Sequence, residues 1–504
     1  AGGKDWKSLQ AIHLIGVGPF LGTIKNGSST RNLTAKNWLK NNRSLQDGSF
    51  GVKFSEISKN DTKALAKAIE NYLKPISDSI KMYDSQKLGS LLRSAFQKGI
   101  EAANPVEATL AACEEILDPP SLIISVGKAA VAMAQAARDY GFLAPGVVVT
   151  TDDNYRNVDG YECFASGHPV PDQRGLLAAT CVIEKLSSLD GTDHLLLLIS
   201  GGGSALLPAP AKGVTLKDKI VLNDFLLGSG LDIHGMNSIR RLFSQLKGGR
   251  LAKLAAPARI TQFLLSDVPD DRPESIASGP AVADPVPLEK TLELIYGLGL
   301  DRFDFVSKHI DALKEKRVSG PLRPGDTIVD NVHTRILASN KQCREATSEY
   351  LLRSIPNLKI LPTVTLSGEA SKMAVQLAEK ILEYNSSPSN TNYCFGIVAG
   401  GETTVTLDTK ELGLGGRSQE LALAFAERMN LAKRLAPSHW VILSGGTDGR
   451  DGPTDAAGGI ICSSQFFDSG QAREALSKHN SYDYLRANNQ LLKIGETGTN
   501  LGDL

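Results

Sequence analysis

The stretch that decides the fold is His194-Leu-Leu-Leu-Leu-Ile-Ser200, which runs directly into Gly201-Gly202-Gly203-Ser204-Ala205. A short apolar run that ends in glycines is typical of a strand buried on both faces, as in the middle of a parallel sheet. In open sheets of this kind, ligands bind beyond the carboxyl ends of the strands. This one stretch therefore predicts both a central strand and a binding loop.

Similar apolar runs lie on either side of this strand, separated by segments with helical periodicity. In the first half of the chain they are LIISV (122–126), GVVVT (146–150) and ITQFLLS (260–266). In the second half they are RILAS (335–339), LKILPTV (358–364), YCFGIVAG (393–400) and WVILSGG (440–446). Strands that alternate with helices predict the α/β class, with a doubly wound parallel sheet.

A change of character near residue 320 indicates a domain boundary. A charged helical segment ends there in RVSGPLRPGD, where glycine and proline interrupt the pattern. We therefore predict an N-terminal extension (1–85), a first domain (86–325) and a smaller second domain (330–504). The length of 504 residues is consistent with two large domains and an appendage.

Composition and charge exclude several classes of protein. Lys plus Arg and Asp plus Glu are 55 each, so no net charge favours a nucleic acid or an anionic membrane as partner. The longest aliphatic stretch, residues 195–199, is far shorter than the ~20 residues that span a bilayer. The six cysteines form no C-x-x-C pair and the histidines no H-E-x-x-H motif, which argues against a disulfide framework and a histidine-built metal centre.

The first 45 residues are basic, with seven Lys or Arg against one acid, Asp5. This bias is similar to an organelle transit sequence or its remnant, and a plain polar extension explains it equally well. We expect a cytoplasmic protein, or a mitochondrial one if the segment is such a remnant. Gly16, Gly18 and Gly22 nearly match the dinucleotide fingerprint, but their spacing is wrong and no helical pattern follows, so we assign the segment no chemistry.

Loops that follow the strands of the first half supply candidate phosphate-binding residues. Gly201, Gly202 and Gly203 let backbone N–H groups converge on an anion, and Ser204 adds a hydroxyl, although a tight structural turn would need the same glycines. Lys128 follows LIISV at the start of a helix, where a cation opposes the helix dipole. It either serves an anion or points into solvent.

Two further segments of the first half carry polar candidates. A helix predicted over residues 236–250 has a polar stripe on one face, a pattern that is more often solvated than functional. The stripe consists of Asn237, Arg240 or Arg241, Ser244 and Lys247. Asp267 and Asp271 follow ITQFLLS, where carboxylates suit a Mg²⁺ ion bound to phosphates or, alternatively, an N-cap or Asx turn.

Glycine-rich loops in the second half carry charged candidates. Glu402 follows YCFGIVAG, and Gly415-Gly416 precede Arg417, whose guanidinium could meet phosphate oxygens at the start of a helix. Between residues 445 and 459, three acids lie among six glycines, a density that favours binding over a plain loop. The acids are Asp448, Asp451 and Asp455.

Taken together, these stretches resemble the glycerate 2-kinase family of the class II type, which carries a MOFRL domain. The matching motifs are SVGKAA (125–130), GHPVPD (167–172), ISGGGSAL (199–206), NSIRRLFSQLKGGRLA (237–252), LLSDV (264–268), IASGP (276–280), GGETTV (400–405), GLGGRSQELAL (413–423), SGGTDGRDGPTDAAG (444–458) and TGTNLGDL (497–504). They follow the family order over roughly four-fifths of the chain.

The resemblance implies phosphorylation of D-glycerate on its 2-hydroxyl by ATP, with Mg²⁺ or another divalent cation. It also implies a Rossmann-like first domain, a smaller MOFRL-type second domain and an active site in the cleft between them. Lys128 and Arg417 fall on the cations that the family is expected to use in catalysis. The chain departs from the family pattern at Asp270, usually a glycine, and at Ser418, usually an amide.

Two other functions are compatible with parts of the sequence. Relatives of this family have been labelled hydroxypyruvate reductases, but an oxidoreductase would need a dinucleotide fingerprint with an acid about 20 residues later, and neither follows residue 88. A catalytically inactive binding module is opposed by the retention of Lys128 and Arg417. The sequence gives no indication of the oligomeric state.

Overall fold

The structure, a computed structural model, describes residues 84–504 except 269, 388–393 and 408–411. It also describes four strands nearer the start of the chain, which form two antiparallel pairs, β1 with β4 and β2 with β3. These are Ala11–Ile15 (β1), Leu21–Asn26 (β2), Ser29–Thr34 (β3) and Ser49–Lys53 (β4). The helical pattern at 64–73, together with Gly16 and Gly18, lies outside the described residues.

A six-stranded parallel sheet forms the centre of the first half. Its strands are Leu122–Val126 (β5), Gly146–Thr150 (β6), Tyr161–Ala165 (β7), His194–Ile199 (β8), Arg259–Ser266 (β9) and Val332–Ser339 (β10). Their order in the sheet is β10-β9-β8-β5-β6-β7, with every pair parallel. The chain winds outward in both directions from the adjacent strands β5 and β8. This is a doubly wound sheet, and its topological switch point lies between these two strands.

The helices of the first half pack around this sheet. They are Ser85–Glu101 (α1), Pro105–Cys113 (α2), Ala130–Tyr140 (α3), Gln173–Ser187 (α4), Gly203–Leu206 (α5), Leu216–Leu227 (α6), Ile233–Leu242 (α7), Arg250–Ala255 (α8), Leu288–Gly297 (α9) and Asp304–Lys314 (α10). Side-chain caps explain where several begin. Asn104 caps α2, and Asp172 accepts a hydrogen bond from the N–H of Gly175 (3.0 Å) in the first turn of α4.

The core lies on both sides of β8. Leu195, Leu197 and Ile199 pack with α4 on one face, whereas Leu196 and Leu198 pack with α1 and α3 on the other. Successive side chains of a strand point to opposite faces, so each face of β8 contributes to a separate core. The prediction of a strand buried on both faces is confirmed, since these leucines are 0% exposed.

Two predicted elements differ from the structure. The helix predicted over 236–250 is wrong in its extent: α7 ends at Leu242, because residues 243–245 hydrogen-bond with residues 209–211 instead of continuing the helix. The RILAS run, which we assigned to the second domain, belongs to β10 at the edge of the first sheet. The sheet therefore extends past residue 330, and the domain boundary itself stays a prediction.

In the described part of the second half, helices lie around three small sheets. Its helices are Asn340–Ser354 (α11), Ala370–Ser386 (α12), Arg417–Leu431 (α13), Ser469–Ser477 (α14) and Ser481–Ala487 (α15). Its strands are Leu358–Ile360 (β11), Thr365–Leu366 (β12), Cys394–Gly396 (β13), Gly400–Gly401 (β14), Val441–Gly445 (β15), Gly458–Cys462 (β16) and Leu491–Leu492 (β17). β11 with β13 and β12 with β14 are parallel pairs, and β15-β16-β17 is antiparallel.

The two halves share one core at the first helix. Phe96 of α1 packs with Leu492 and Leu504 of the second half, and the Thr347 hydroxyl of α11 donates to the carbonyl of Ala95 (3.3 Å). These contacts hold the loops of the second half against the carboxyl ends of β5 and β8. Along the part of the chain described from residue 84 onward, we find no helix long and apolar enough to cross a membrane.

Candidate active site

The crevice at the switch point is formed by the loops that follow β5 and β8. Gly127 has a φ of 131°, and a Cβ there would lie 2.1 Å from the hydroxyl of Ser200, so only glycine fits. That hydroxyl accepts the N–H of Ala129 (3.0 Å), and the N–H of Lys128 donates to the carbonyl of Gly201 (2.9 Å). These two hydrogen bonds fasten the loops together just before α3 begins.

Lys128 reaches across the crevice to the second half. Its Nζ lies 2.8 Å from Oδ2 of Asp448, and each of the two side chains is about a fifth exposed (22% and 21%). The other carboxylate oxygen of Asp448 accepts the N–H of Arg450 (3.1 Å), which fixes its orientation. Two residues predicted from separate motifs are therefore direct neighbours.

The glycine loop after β8 borders a carboxylate and an amide. A Cβ on Gly201 would lie 2.4 Å from Nδ2 of Asn500 and 2.5 Å from Oδ2 of Asp267. Gly202 has a φ of 84°, and its backbone N–H lowers the pKa of the Asp267 carboxyl. Asn500 and Asp267 thus lie against the start of the loop, and the loop ends where Gly203 begins the short helix α5.

Asp267 lies against Gly201, and its predicted partner Asp271 lies four residues later in the following loop. Burial, and then the negative charge of Glu402, raise the pKa of Asp267 to about 6. Asp271 has a φ of 51° in the following loop and makes no ion pair with any described residue. Within residues 84–504, apart from the gaps given above, no three His, Cys, Asp or Glu side chains are grouped so that they could hold a metal ion.

Ser204 is held by a buried lysine. Lys247 is 3% exposed, and its Nζ donates to the hydroxyl of Ser204 (2.6 Å), to the carbonyl of Ser204 (3.0 Å) and to the carbonyl of Ala277 (3.4 Å). The Ser204 hydroxyl also contacts that of Ser278 (3.3 Å), which donates to Oδ1 of Asn237 (3.3 Å). Although α7 is shorter than predicted, the structure still brings Asn237 and Lys247 to the glycine loop.

Arg240 lies on α7, one turn beyond Asn237. Its Nη2 donates to Oδ1 of Asn223 on α6 (2.6 Å), and its Nε is buried without a hydrogen-bond partner among the described residues. Arg241, the alternative in the predicted stripe, is 2% exposed and pairs with Asp284 (2.8 Å). Both arginines have a buried Nε without a partner among the described residues, but both Nη groups of Arg241 are hydrogen-bonded, whereas only Nη2 of Arg240 is.

Arg417 is the first residue of α13 and is gripped by two acids. Its Nε and Nη2 meet Oδ2 and Oδ1 of Asp503 at 2.8 and 3.1 Å, while its Nη1 pairs with Glu402. Burial opposes the charge of Arg417, but the two carboxylates together raise its pKa. In turn, burial raises the pKa of Asp503 to about 6, although the charge of Arg417 lowers it. The planar fork is thus fixed in one orientation.

The glycines before Arg417 make room for neighbouring side chains. A Cβ on Gly415 would lie 2.4 Å from the hydroxyl of Ser481, and one on Gly416 would lie 2.3 Å from the carboxyl carbon of Asp451. The Asp451 carboxylate accepts the N–H groups of Ser418 (3.1 Å) and Gln419 (2.8 Å) and so caps α13. Close packing therefore accounts for both glycines, and a direct contact with phosphate stays a prediction.

Residues 501–504 contribute side chains that the local sequence pattern did not identify. Asp503 exchanges backbone hydrogen bonds with Gly401 (2.8 and 3.2 Å), and Leu504 exchanges them with Gly445 (both 2.9 Å). Asn340 fastens the segment by donating to the carbonyls of Leu501 and Asp503 (both 2.9 Å). The motif TGTNLGDL was the one available signal for Asn500 and Asp503, and we assigned neither a role.

Comparison with known proteins finds relatives over most of the chain. The family described as "Domain of unknown function (DUF4147)" matches residues 91–311, and the MOFRL family matches residues 395–503. The D-glycerate 2-kinase of Thermotoga maritima is 34% identical over 437 residues, 84% of this chain and 99% of that protein. A putative hydroxypyruvate reductase of Agrobacterium vitis is 33% identical over 424 residues, 82% and 93% of the two chains. The crystal structure of the Thermotoga maritima glycerate kinase matches with a TM-score of 0.69 at 31% identity, over 83% of this chain and 98% of that one.

Proposed function

Because this chain belongs to the glycerate 2-kinase family, we propose that it transfers the γ-phosphoryl group of ATP to the 2-hydroxyl of D-glycerate, giving 2-phospho-D-glycerate and ADP. The chain is a kinase that acts on a small molecule, with ATP as cosubstrate. The observation that supports the proposed chemistry is the convergence of Lys128, the glycine loop and Asp448 at the switch point. Phosphoryl transfer depends mainly on positioning and charge neutralisation, which such a crevice offers.

Lys128 and the glycine loop would bind the phosphates of ATP. Backbone N–H groups of residues 201–203 and the ammonium of Lys128 are donors of the kind that phosphate oxygens need. In the structure, the ammonium of Lys128 forms an ion pair with the carboxylate of Asp448. An incoming phosphate would compete with that carboxylate for the same cation.

Arg417 would neutralise the charge that develops on the transferring phosphoryl group. Asp503 contacts two nitrogens of the guanidinium, and the third, Nη1, pairs with the half-exposed Glu402. Nη1 is therefore the nitrogen that would contact the substrate. A guanidinium held in this way needs little reorganisation in the transition state. Asp503 would therefore act as a positioning residue for Arg417.

Asp267 is the carboxylate that would hold Mg²⁺ together with the phosphates. A Mg²⁺ ion in a nucleotide site needs only one or two carboxylates, because phosphates and water complete its coordination. The raised pKa of Asp267, caused by burial and by the charge of Glu402, is the mark of a carboxylate that a cation would stabilise. The ion would supply charge neutralisation on the phosphates. A metal-binding role for Asp271, the other predicted ligand, stays a prediction.

Hydroxypyruvate reductase, the name that one relative carries, is less consistent with the crevice. A dinucleotide would need the G-x-G-x-x-G turn at the switch point. The loops there read Gly127-Lys128-Ala129 and Gly201-Gly202-Gly203-Ser204, and neither fits that pattern.

A coupled assay tests the proposal. We expect the purified protein to release ADP when D-glycerate, ATP and Mg²⁺ are all present, and to leave NADH unchanged with hydroxypyruvate. Oxidation of NADH by hydroxypyruvate, with no ADP formed from D-glycerate, would overturn it.

A further inference from the structure

Four cations lie together beyond Ser204, and we call them the cation cluster: Lys219, Arg240, Lys247 and Arg250. Lys219 is 9% exposed, Lys247 3% and Arg250 6%, and Arg240 is partly buried. None of the four forms an ion pair with a carboxylate of the described chain. Buried charges are normally paired, as neighbouring Arg241 is with Asp284. A buried cluster of cations without carboxylate partners is typical of a site that binds an anion.

In two members of the cation cluster the terminal nitrogens are occupied by the protein, although the Nε of Arg250 is buried without a partner among the described residues. The three donors of Lys247 reach Ser204 and the carbonyl of Ala277. Arg250 donates to backbone carbonyls of α7, of Ser244 and of Ser319. These two residues hold the surrounding loops in place and are poor candidates for contact with a ligand.

The other two members have donors to spare. Lys219 makes one long hydrogen bond, to the carbonyl of Phe243 (3.4 Å). Arg240 is hydrogen-bonded through Nη2 alone, so that neither its Nη1 nor its buried Nε has a partner among the described residues. Asn223 lies one turn after Lys219 on α6 and accepts from Arg240, which brings the two cations to the same side of that helix. Burial, and then the charge of Arg240, lower the pKa of Lys219 to about 8.

A chain of polar side chains connects the cation cluster to the glycine loop. It runs from Lys247 through the hydroxyls of Ser204 and Ser278 to Asn237. Arg240 follows Asn237 after one turn of α7. The cation cluster therefore adjoins the glycine loop, which would bind the phosphates.

We propose that Lys219 and Arg240 bind the carboxylate of the acceptor substrate. This inference rests on the proposed function, in which that substrate is a small hydroxy acid. Two cations with unused donors match the two oxygens of a carboxylate. A carboxylate and a transferring phosphoryl group repel each other, so separate cationic sites for each are what the reaction needs.

Kinetic constants of three variants test this assignment. Lys219→Met and Arg240→Gln should raise the KM for D-glycerate by at least about tenfold, because each loses a charge-assisted hydrogen bond, and should change the KM for ATP less than about threefold. Lys217→Met, an exposed lysine of the same helix, is the matched control and should change neither constant. D-Glyceramide, which has an amide in place of the carboxylate, should be used equally well by the wild type and by Lys219→Met.

Folding and binding are measured beside these rates. Lys219→Met should not lower the Tm, since an apolar side chain of similar size replaces a buried unpaired cation. Calorimetric titration with D-glycerate alone should show weaker binding to both variants than to the wild type. If the wild type made no ADP from D-glycerate, the proposed function would fail, while this titration would still decide the carboxylate site. A raised KM for ATP with an unchanged KM for D-glycerate would assign the cations to a nucleotide phosphate and overturn the inference, as would variants that bind D-glycerate like the wild type.

Discussion

At the scale of single residues, the two cations of the proposed reaction differ in how they are held. Lys128 has one carboxylate partner, Asp448, and each side chain of the pair is about a fifth exposed. Arg417 is clamped through two nitrogens by Asp503, a carboxylate that is 3% exposed. A bidentate arginine pair fixes direction as well as charge, which a lysine cannot do. The two cations are therefore suited to different tasks, Lys128 to binding and Arg417 to an oriented contact in the transition state.

The first prediction concerns the shape of the Arg417 side chain. Arg417→Lys keeps the charge but loses the fork on Asp503, so kcat should fall roughly ten- to a thousand-fold with a smaller change in the KM for ATP. Arg428→Lys, on the same helix and paired with Glu379 at the surface, is the control and should retain its activity. An Arg417→Lys enzyme with the kcat of the wild type would show that the fork has no role.

A second prediction separates Asp267 from Asp271. Asp267→Asn should raise the Mg²⁺ concentration needed for half-maximal activity at least about tenfold, because it removes the proposed carboxylate ligand. Asp271→Asn should shift it less than about threefold, since no hydrogen bond or ion pair joins Asp271 to a described residue of the glycine loop. Mg²⁺ titrations of both variants at fixed ATP decide the matter, and equal shifts would contradict the assignment.

Residue patterns predicted the cations better than their partners. Lys128 and Arg417 each stand next to glycines at the end of an apolar run, which is a local signal. Their acids lie 320 and 86 residues away along the chain, so no spacing marks the pairs. For Lys247, the sequence predicted a residue at the site but not its partners. Its Nζ makes three hydrogen bonds to oxygens of Ser204 and Ala277, which no sequence pattern shows.

At the scale of elements, helix α13 depends on a cap supplied from a distant loop. Its N-cap, Gly416, has no side chain, and the carboxylate of Asp451 accepts the N–H groups that a local cap would otherwise satisfy. Burial raises the pKa of Asp451 from 3.8 to about 7. The position of Arg417 at the start of α13 is therefore coupled to the protonation of a residue on another loop.

The third prediction follows from the sign of that shift. Folding raises the pKa of Asp451, so its contribution to stability is fully present below pH 4 and is lost as the pH rises toward 7. The Tm of the wild type minus that of Asp451→Asn should therefore fall, by roughly 1 to 4 °C, between about pH 4 and pH 7. Asp455→Asn, an exposed neighbour whose pKa Lys493 lowers, should show no such fall in this range. A difference for Asp451→Asn that stays constant or grows with pH would contradict the prediction.

Elements buried on both faces were predictable, and edge elements were not. β5, β6 and β8 read as continuous apolar runs because helices cover both sides of them. β7 and β10 are partly exposed at the two edges of the sheet. The sequence of β7 (YECFA) therefore contains no continuous apolar run, and no strand was predicted there. β10 was predicted as a strand, but we assigned it to the second half of the chain although it pairs with β9 of the first sheet. The end of α7 depends on pairing with residues 209–211, which helical periodicity cannot show.

At the scale of the whole molecule, the candidate site exists because two halves of one chain meet. Lys128 and Asp267 come from the parallel sheet, whereas Arg417, Glu402 and Asp448 come from the second half. Ion pairs of Lys128 with Asp448 and of Arg450 with Asp153 (2.9 Å) cross between them. In the proposed reaction, a substrate phosphate replaces Asp448 as the partner of Lys128. Substrate binding and the contact between the two halves are therefore coupled.

The fourth prediction tests whether the two halves act on one group. Lys128→Ala and Arg417→Lys should each lower kcat, and the double variant should lose less than the product of the two single losses, because both cations stabilise one transition state. The cycle of Lys128→Ala with Arg428→Lys should be multiplicative. A multiplicative result for Lys128 with Arg417 would mean that the cations do not share a phosphoryl group.

The chemical identity of the product tests the central claim most directly. Phosphorus NMR of the reaction of D-glycerate with ATP and Mg²⁺ distinguishes a phosphate on the 2-hydroxyl from one on the 3-hydroxyl. The account predicts that the resonance of 2-phospho-D-glycerate grows in step with those of ADP. A resonance of 3-phospho-D-glycerate, or ATP that stays intact in the presence of D-glycerate, would contradict it.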